Sequence, residues 1–406
     1  MPEQKKAVVP RLRFPEFRDA GPWEVKRVGY FLTESRIDGS TGDIAKKLTV
    51  KLWGGGVVSK NEYLPGSPNT KYYRRKAGQF IYSKLDFLNG AFGIIPYELD
   101  GYESTLDLPA FDFTKAIVPR FFLEYVRRPQ FYKKHGEQAD GSRKAKRIQV
   151  DYFLDLYVAV PCLAEQQKIA DCLSSLDELI ELEAKQLEAL QAHKKGLMQQ
   201  LFPREGETTP RLRFPEFRNA GPWEVKRLGE VFCERSERGG NGLELLSVTI
   251  SDGVVRAAEE RKNNTNADLS NYKKVCPGDI VYNSMRMWQG ASGVSWWHGV
   301  VSPAYTVVTP KESQNAVFWA YCFKLEHSIA KFARFSQGVT SDTWNLKYPA
   351  FSAIEMAFPA EQAEQQKIAD CLSSLDELIE LEAKKLEALQ AHKKGLMQQL
   401  FPQEVG

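Results

Sequence analysis

The stretch Ala164–Pro203, AEQQKIADCLSSLDELIELEAKQLEALQAHKKGLMQQLFP, occurs again as Ala363–Pro402 with one change, Gln186 becoming Lys385. Ile169, Leu173, Leu176, Ile180, Leu187, Leu190, Leu197 and Leu201 follow an alternating three-and-four spacing, the narrow seam of a coiled coil rather than the wider stripe of a surface helix. A helix from about Glu165 to Gln200 would be on the order of 50 Å long at 1.5 Å per residue, far beyond the globular mean. Such a helix, present twice, is satisfied most simply by pairing with its own copy. Two seam positions are charged in each copy, Glu183 and Lys194 in the first, Glu382 and Lys393 in the second. An antiparallel pairing with Glu183 opposite Lys393 also sets Lys194 opposite Glu382 and fills the intervening layers with leucine and isoleucine. A parallel pairing sets like charges together, so the antiparallel register is the expectation.

The duplication extends beyond the helices. Pro10–Gly29, PRLRFPEFRDAGPWEVKRVG, returns as Pro210–Gly229 with two substitutions. Between each such segment and the following helix lie about 130 residues that differ strongly yet share a skeleton. Gly56-Val57-Val58 matches Gly253-Val254-Val255, and Ala77–Tyr82 matches Pro277–Tyr282. Asn89–Ile94 matches Gln289–Val294, and Leu108–Phe111 matches Ser302–Tyr305. Short β-branched and aromatic runs broken by glycine and asparagine predict strands and turns. Helix-like spacing over Ile117–Phe131 and Ala316–Phe335 adds helices to each. Phe153–Pro161 and Phe351–Pro359 are expected as last strands before the long helices. The domain division expected is residues 1–163, a first long helix at 164–203, a second domain at 204–362, and a second long helix with the C-terminus at 363–406.

No apolar run of eighteen residues occurs and Met1–Pro10 has no apolar centre, so a soluble, cytoplasmic protein is expected. The six cysteines form no CxxC pair and have no histidine at ligand spacing, which predicts buried thiols and no metal. Net charge is only +3, but the long helices carry more acidic than basic residues and would repel phosphate. Any contact with nucleic acid falls to the domains between them.

Catalytic signatures are missing: there is no GxSxG, HExxH or Walker loop, and Gly54-Gly55-Gly56 faces Ser251-Asp252-Gly253 in the other copy, so it reads as a tight turn. Binding signals lie elsewhere. Lys133–Arg147 is a basic, turn-rich segment containing Arg143, Lys144, Lys146 and Arg147, and its counterpart holds Gln337, Thr340 and Ser341. Charge runs are most often solvated loops, yet both compositions suit a loop that meets a duplex, through phosphate and guanine contacts in one and base-edge or sugar contacts in the other. Lys71, Tyr72, Arg74 and Arg75, with Lys273 and Lys274, combine basic and aromatic side chains suited to a nucleic-acid backbone. Finally, Lys84 and Asn89 align with the region of Asn283, Arg286 and Gln289, where Asp86 replaces Arg286. A structural site keeps its charge between copies, whereas a site reading different bases need not.

The AEQQKIADCLSSLDELIELEA helices and the duplicated GPWEVKRxG segments resemble the specificity subunit of a Type I restriction-modification system, over essentially the entire chain. The resemblance implies an α+β fold class: two mixed α/β target-recognition domains separated by two long helices forming an antiparallel coiled coil, a quasi-twofold tandem duplication. It implies that each domain reads one half of a bipartite double-stranded DNA target. It also implies that the helices set the spacing and dock two modification (methyltransferase) subunits, with ATP-dependent restriction subunits completing the complex. S-adenosylmethionine and ATP with magnesium are then expected in the partners, and neither cofactor nor catalytic residue in this chain. The alternative carried forward is a coiled-coil adaptor whose variable domains bind proteins.

Overall fold

The computed structural model describes residues 8–60, 66–137, 147–239, 242–257, 269–340 and 343–403. The chain forms two compact units, Met1–Ala184 with Lys385–Gly406, and Lys185–Lys384. Each unit therefore holds one domain, the start of one long helix and the end of the other.

In unit 1 a four-stranded antiparallel sheet has the order Leu32–Ser35, Ala110–Phe113, Phe80–Tyr82, Phe92–Ile94. In unit 2 the same order recurs as Phe232–Glu234, Tyr305–Pro310, Ile280–Asn283, Ser292–Val294. The GPWEVKRxG segments supply strands Glu24–Arg27 and Glu224–Arg227, which pair with the last strands Tyr157–Val160 and Glu355–Phe358. Those last strands are shorter than the sequence suggested, because Phe153 and Phe351 belong to short helices, Val150–Asp155 and Tyr348–Ser352. The predicted helical patches are each split in two: Pro119–Val126 and Pro129–Glu137 in unit 1, Ala316–Cys322 and Glu326–Phe335 in unit 2. The remaining sheets diverge. Unit 1 has a three-stranded sheet, Ile37–Thr41, Lys71–Arg74, Glu103–Ser104, beside a two-stranded one, Leu48–Val50 with Val57–Ser59. Unit 2 has one four-stranded sheet, Gly253–Arg256, Glu244–Thr249, Gly299–Val301, Lys273–Val275.

The long helices run Leu163–Leu201 and Gln362–Leu400, 39 residues each. Their ends are built into the domain cores. In unit 1, Ile169 and Leu173 of the first helix, with Leu400 at the end of the second and Phe401 after it, join Trp23, Phe121 and Val158 in one buried cluster. In unit 2, Ile368 and Leu372 with Leu201 and Phe202 join Trp223, Phe318 and Phe358. The AEQQ motif explains its own duplication here. Glu165 is 1% exposed and takes two hydrogen bonds from Arg13, at 2.7 and 2.8 Å, while Gln166 accepts the Val118 N–H at 2.9 Å. Glu364, Arg213, Gln365 and Asn315 repeat the arrangement. A buried carboxylate is tolerable when a bidentate guanidinium meets it, and the amide oxygen satisfies a backbone donor at a helix start.

Within each unit the two helices are antiparallel, but the register differs from the one expected. In unit 1 Lys393 Nζ lies 2.6 Å from Asp177 Oδ1 and 3.6 Å from Glu124 Oε2, and Glu183 meets Lys385 at 2.7 Å. In unit 2 Lys194 pairs with Asp376, and Gln186 Nε2 donates to Glu382 at 3.1 Å. Glu183 thus meets Lys385 rather than Lys393, a shift of about two turns. The cause is that Asp177 and Asp376 sit off the leucine seam yet hold the lysines, and domain residues fix them there: Arg120 on Asp177, and the Tyr321 hydroxyl on Asp376 at 2.6 Å. The cysteines also depart from expectation. Cys322 is buried, but Cys162 and Cys233 are exposed. Among the described residues no helix is long and apolar enough to cross a membrane.

Candidate nucleic-acid interface

The turn after strand Phe80–Tyr82 is a short 3-10 helix, Phe87–Asn89, ended by Gly90 in the left-handed region at φ 64°. Its polar side chains hold the turn itself: Asp86 accepts from Ser83 Oγ at 3.1 Å and from Asn89 Nδ2 at 3.3 Å. Unit 2 builds the same turn as Met287–Gln289, ended by Gly290 at φ 83°. Here Asn283 Oδ1 accepts the Met285 N–H at 3.0 Å, and the position of Asp86 is taken by Arg286. Arg286 and Gln289 are exposed, and among the described residues the Arg286 guanidinium has no ion-pair or hydrogen-bond partner. One turn is locked by its own carboxylate, and the other presents a free cation.

The loop before the last strand is tied to this turn in both units. In unit 1 the Ile148 N–H donates to Lys84 O at 3.1 Å, and Arg147 Nε lies 4.0 Å from Asp107. Burial lowers the Lys84 pKa from its ordinary value. In unit 2 the Leu346 N–H donates to Ser284 O at 2.8 Å, and Trp344 packs edge-on against Trp288 at 5.3 Å. Gln337 bridges Asn345 through its backbone, Thr340 bonds Thr343, and the side chains of Gln337 and Thr340 face solvent. The structure thus joins the loop containing Arg147 to the turn of Lys84 and Asn89, and the loop of Gln337 and Thr340 to the turn of Asn283, Arg286 and Gln289. Arg143, Lys144, Lys146 and Ser341 lie outside the described residues.

The basic strands are a different case. Arg75 is 1% exposed, so its assignment to a nucleic-acid surface is corrected. Its guanidinium donates to Ser104 Oγ and to the carbonyls of Ser35 and Leu108, and burial pulls its pKa down to about 10. It ties the strand end at Ser35 to Ser104 and to the loop at Leu108. Lys71 pairs with Asp38 at 2.8 Å, Lys47 lies over the Tyr72 ring, Lys273 meets Glu234 at 3.4 Å and Lys274 meets Glu237 at 3.9 Å. Arg74 is exposed and, among the described residues, unpaired.

A second repeated feature lies where each long helix ends. In unit 2 a groove of about 760 Å³ is lined by Lys194, Lys195, Met198, Phe202, Arg211 and Lys324. In unit 1 a groove of about 720 Å³ has Lys393, Lys394, Met397, Phe401, Arg11 and Arg128 in corresponding places. Sequence reasoning passed over these because each residue reads as part of a solvated helix end. It also passed over Trp53, which precedes the Gly54-Gly55-Gly56 turn.

Two α+β domains that share one central sheet order, each joined to paired long helices and each carrying different side chains on equivalent turns, define a duplicated two-domain architecture. The chain belongs to the Type I restriction-modification specificity family: the family model described as Type I restriction modification DNA specificity domain matches residues 122–192 and 221–391, more than half of the chain. Among curated relatives, the Type I restriction enzyme MjaVIII specificity subunit of Methanocaldococcus jannaschii is 27% identical over 61% of this chain and 62% of its own length. The putative type I restriction enzyme MjaX specificity subunit of the same organism is 23% identical over 69% and 66%. The chain thus spans a little under two thirds of the length of these relatives. Of solved structures, the S subunit of a Type-I restriction-modification system from M. genitalium superposes with a TM-score of 0.59 at 14% identity, covering 98% of this chain and 100% of that one. A chain from a structure of type I R-M complex assembly and conformational transition gives 0.54 at 16%, covering 94% and 98%. At these identities the structural likeness speaks to the fold.

Proposed function

We propose that the chain is the non-catalytic DNA-reading subunit of a Type I restriction-modification complex, with each domain reading one half of a bipartite duplex target. The observation that carries this reading is the exchange of Asp86 for Arg286 on equivalent turns of one scaffold. A free guanidinium suits bidentate contact with guanine O6 and N7, whereas the turn locked by Asp86 leaves readout to neighbours such as Asn89 and Arg147. Lys84, Arg74, Gln289, Gln337 and Thr340 complete the set, with Lys71, Tyr72, Lys273 and Lys274 as backbone-facing support. The paired long helices set the spacing between half-sites. The two basic, apolar-floored grooves, alike in both units, suit a partner used twice, which we assign to two modification subunits carrying S-adenosylmethionine; ATP-dependent restriction subunits join that assembly.

The test is methylation of a plasmid library by the purified chain, by the modification subunit, and by both together. Sequence-specific methylation is expected only from the mixture; methyl transfer by the chain alone would contradict it. Steep weakening of duplex binding with added salt separates this reading from a protein-binding adaptor, for which salt need have little effect.

A further inference from the structure

Trp53 is the conspicuous residue that no role above absorbs. Tryptophan is highly buried on average, yet this one is 69% exposed, and its backbone sits in the left-handed region at φ 57°, where a bulky side chain is strained. The strain persists because the turn is over-determined. The Trp53 N–H donates to Asn89 O at 2.8 Å, the Gly54 N–H to Gly90 O at 3.0 Å, and Arg127 Nη2 to Gly54 O at 2.6 Å. Arg127 is itself held by Glu124, which is 1% exposed. Gly90, at φ 64°, takes the left-handed backbone that ends the turn, a conformation that favours glycine. A strained, exposed aromatic is thereby fixed on the turn that carries Asn89.

Unit 2 repeats the cation clamp with other atoms, without the left-handed backbone. Ile250 stands three residues before Gly253 as Trp53 stands three before Gly56, and it is 48% exposed. Lys324 Nζ donates to Ile250 O at 2.8 Å and to Gly290 O at 2.6 Å, binding this turn to the one that carries Gln289. A cation after the equivalent helix clamps an exposed apolar side chain beside the reading turn in both units, while the side chain presented changes from indole to sec-butyl. Backbone strain held at such cost in local order is characteristic of functional positions.

We propose that Trp53 stacks on a base at a step of the half-site read by unit 1, and that Ile250 is the smaller apolar wedge at the equivalent step for unit 2. An indole offers a flat face to any base, and apolar side chains inserted at base steps partly unstack them. The assignment rests on the DNA-reading function proposed above. The position flanks the polar residues of the turn that carries Asn89.

The experiment uses the full chain assembled with its modification subunits and duplexes bearing the target mapped by methylation, with 2-aminopurine replacing single adenines in turn. Wild type should give a fluorescence change at one step in each half-site. Trp53→Ala and Trp53→Gly should abolish it in one half-site only and weaken binding roughly 5- to 150-fold, the span of one lost stacked base. Trp53→Phe should retain most of both, and Ile250→Ala should act on the other half-site. Trp53→Gly relieves the left-handed strain, so an unchanged or raised melting temperature shows that lost binding is not lost folding. Wild-type affinity and unchanged fluorescence in Trp53→Ala would overturn the stacking role while leaving DNA reading intact. No duplex binding by the wild-type complex would overturn the reading and the stacking role together.

Discussion

In unit 1 the Lys385 ammonium lies 2.7 Å from the Glu183 carboxylate, and Lys385 is the one residue by which the repeat Ala363–Pro402 differs from Ala164–Pro203. At the matched place in unit 2, Gln186 offers Glu382 an amide at 3.1 Å. Both glutamates are buried, at 7% and 8% exposure, so the partner's charge matters. Charge-assisted hydrogen bonds are about twice as strong as neutral ones, but the Lys385 side chain is half exposed and solvent screens it. Lys385→Gln should therefore lower stability by about 1 kcal/mol or less, and Gln186→Lys should raise it, as read from urea unfolding midpoints. Opposite signs would show that the seam does not use this charge.

The Arg13–Glu165 pair should be far more costly to break. Its side chains are 8% and 1% exposed and joined by two hydrogen bonds, so Arg13→Ala strands a buried carboxylate. A loss of about 3–5 kcal/mol is expected in chemical denaturation. Arg13→Met combined with Glu165→Leu should be milder than Arg13→Ala, because no buried charge is left unpaired.

The seam and the ion pairs mark where sequence reading reached its limit. The long helices and the duplication followed from leucine spacing and repeat, since helix period is a local property, and the antiparallel sense followed from the charged seam positions. The register did not, because Asp177 and Asp376 lie off the seam and are committed by Arg120 and Tyr321, partners distant in sequence. Arg75 looked like a surface cation beside Lys71 and Arg74; only the fold shows that Ser35, Ser104 and Leu108 converge on it. The turns of Asn89 and Arg286 were legible because both copies could be aligned. Trp53 was not, because its left-handed backbone is held by bonds to Asn89 and Gly90 and by Arg127 on Gly54, partners distant in sequence.

Acid should weaken unit 1 through His135. Burial against the edge of Phe131 depresses its pKa to about 4 from the ordinary 6.5. Between those values the unfolded chain binds the proton and the folded chain does not, so stability falls as pH drops from about 6.5 toward 4. His135→Phe should remove this part of the slope in thermal melts taken across that window; an unchanged slope would assign it to carboxylates.

Arg286→Ala should impair recognition in one half-site only, by about 1–3 kcal/mol if the guanidinium makes a bidentate base contact. Competition binding with single-base variants of the mapped target measures this. An equal loss on every duplex, with a shallower salt dependence, would instead make Arg286 a phosphate contact.

The most direct measurement is a genome-wide methylation map from a host carrying the modification subunit with either this chain or a version whose residues 30–160 come from another specificity subunit. Independent reading by two domains predicts that one half of the methylated sequence changes while the other half and the spacer length stay as they were. A change in both halves together, or in neither, would contradict it.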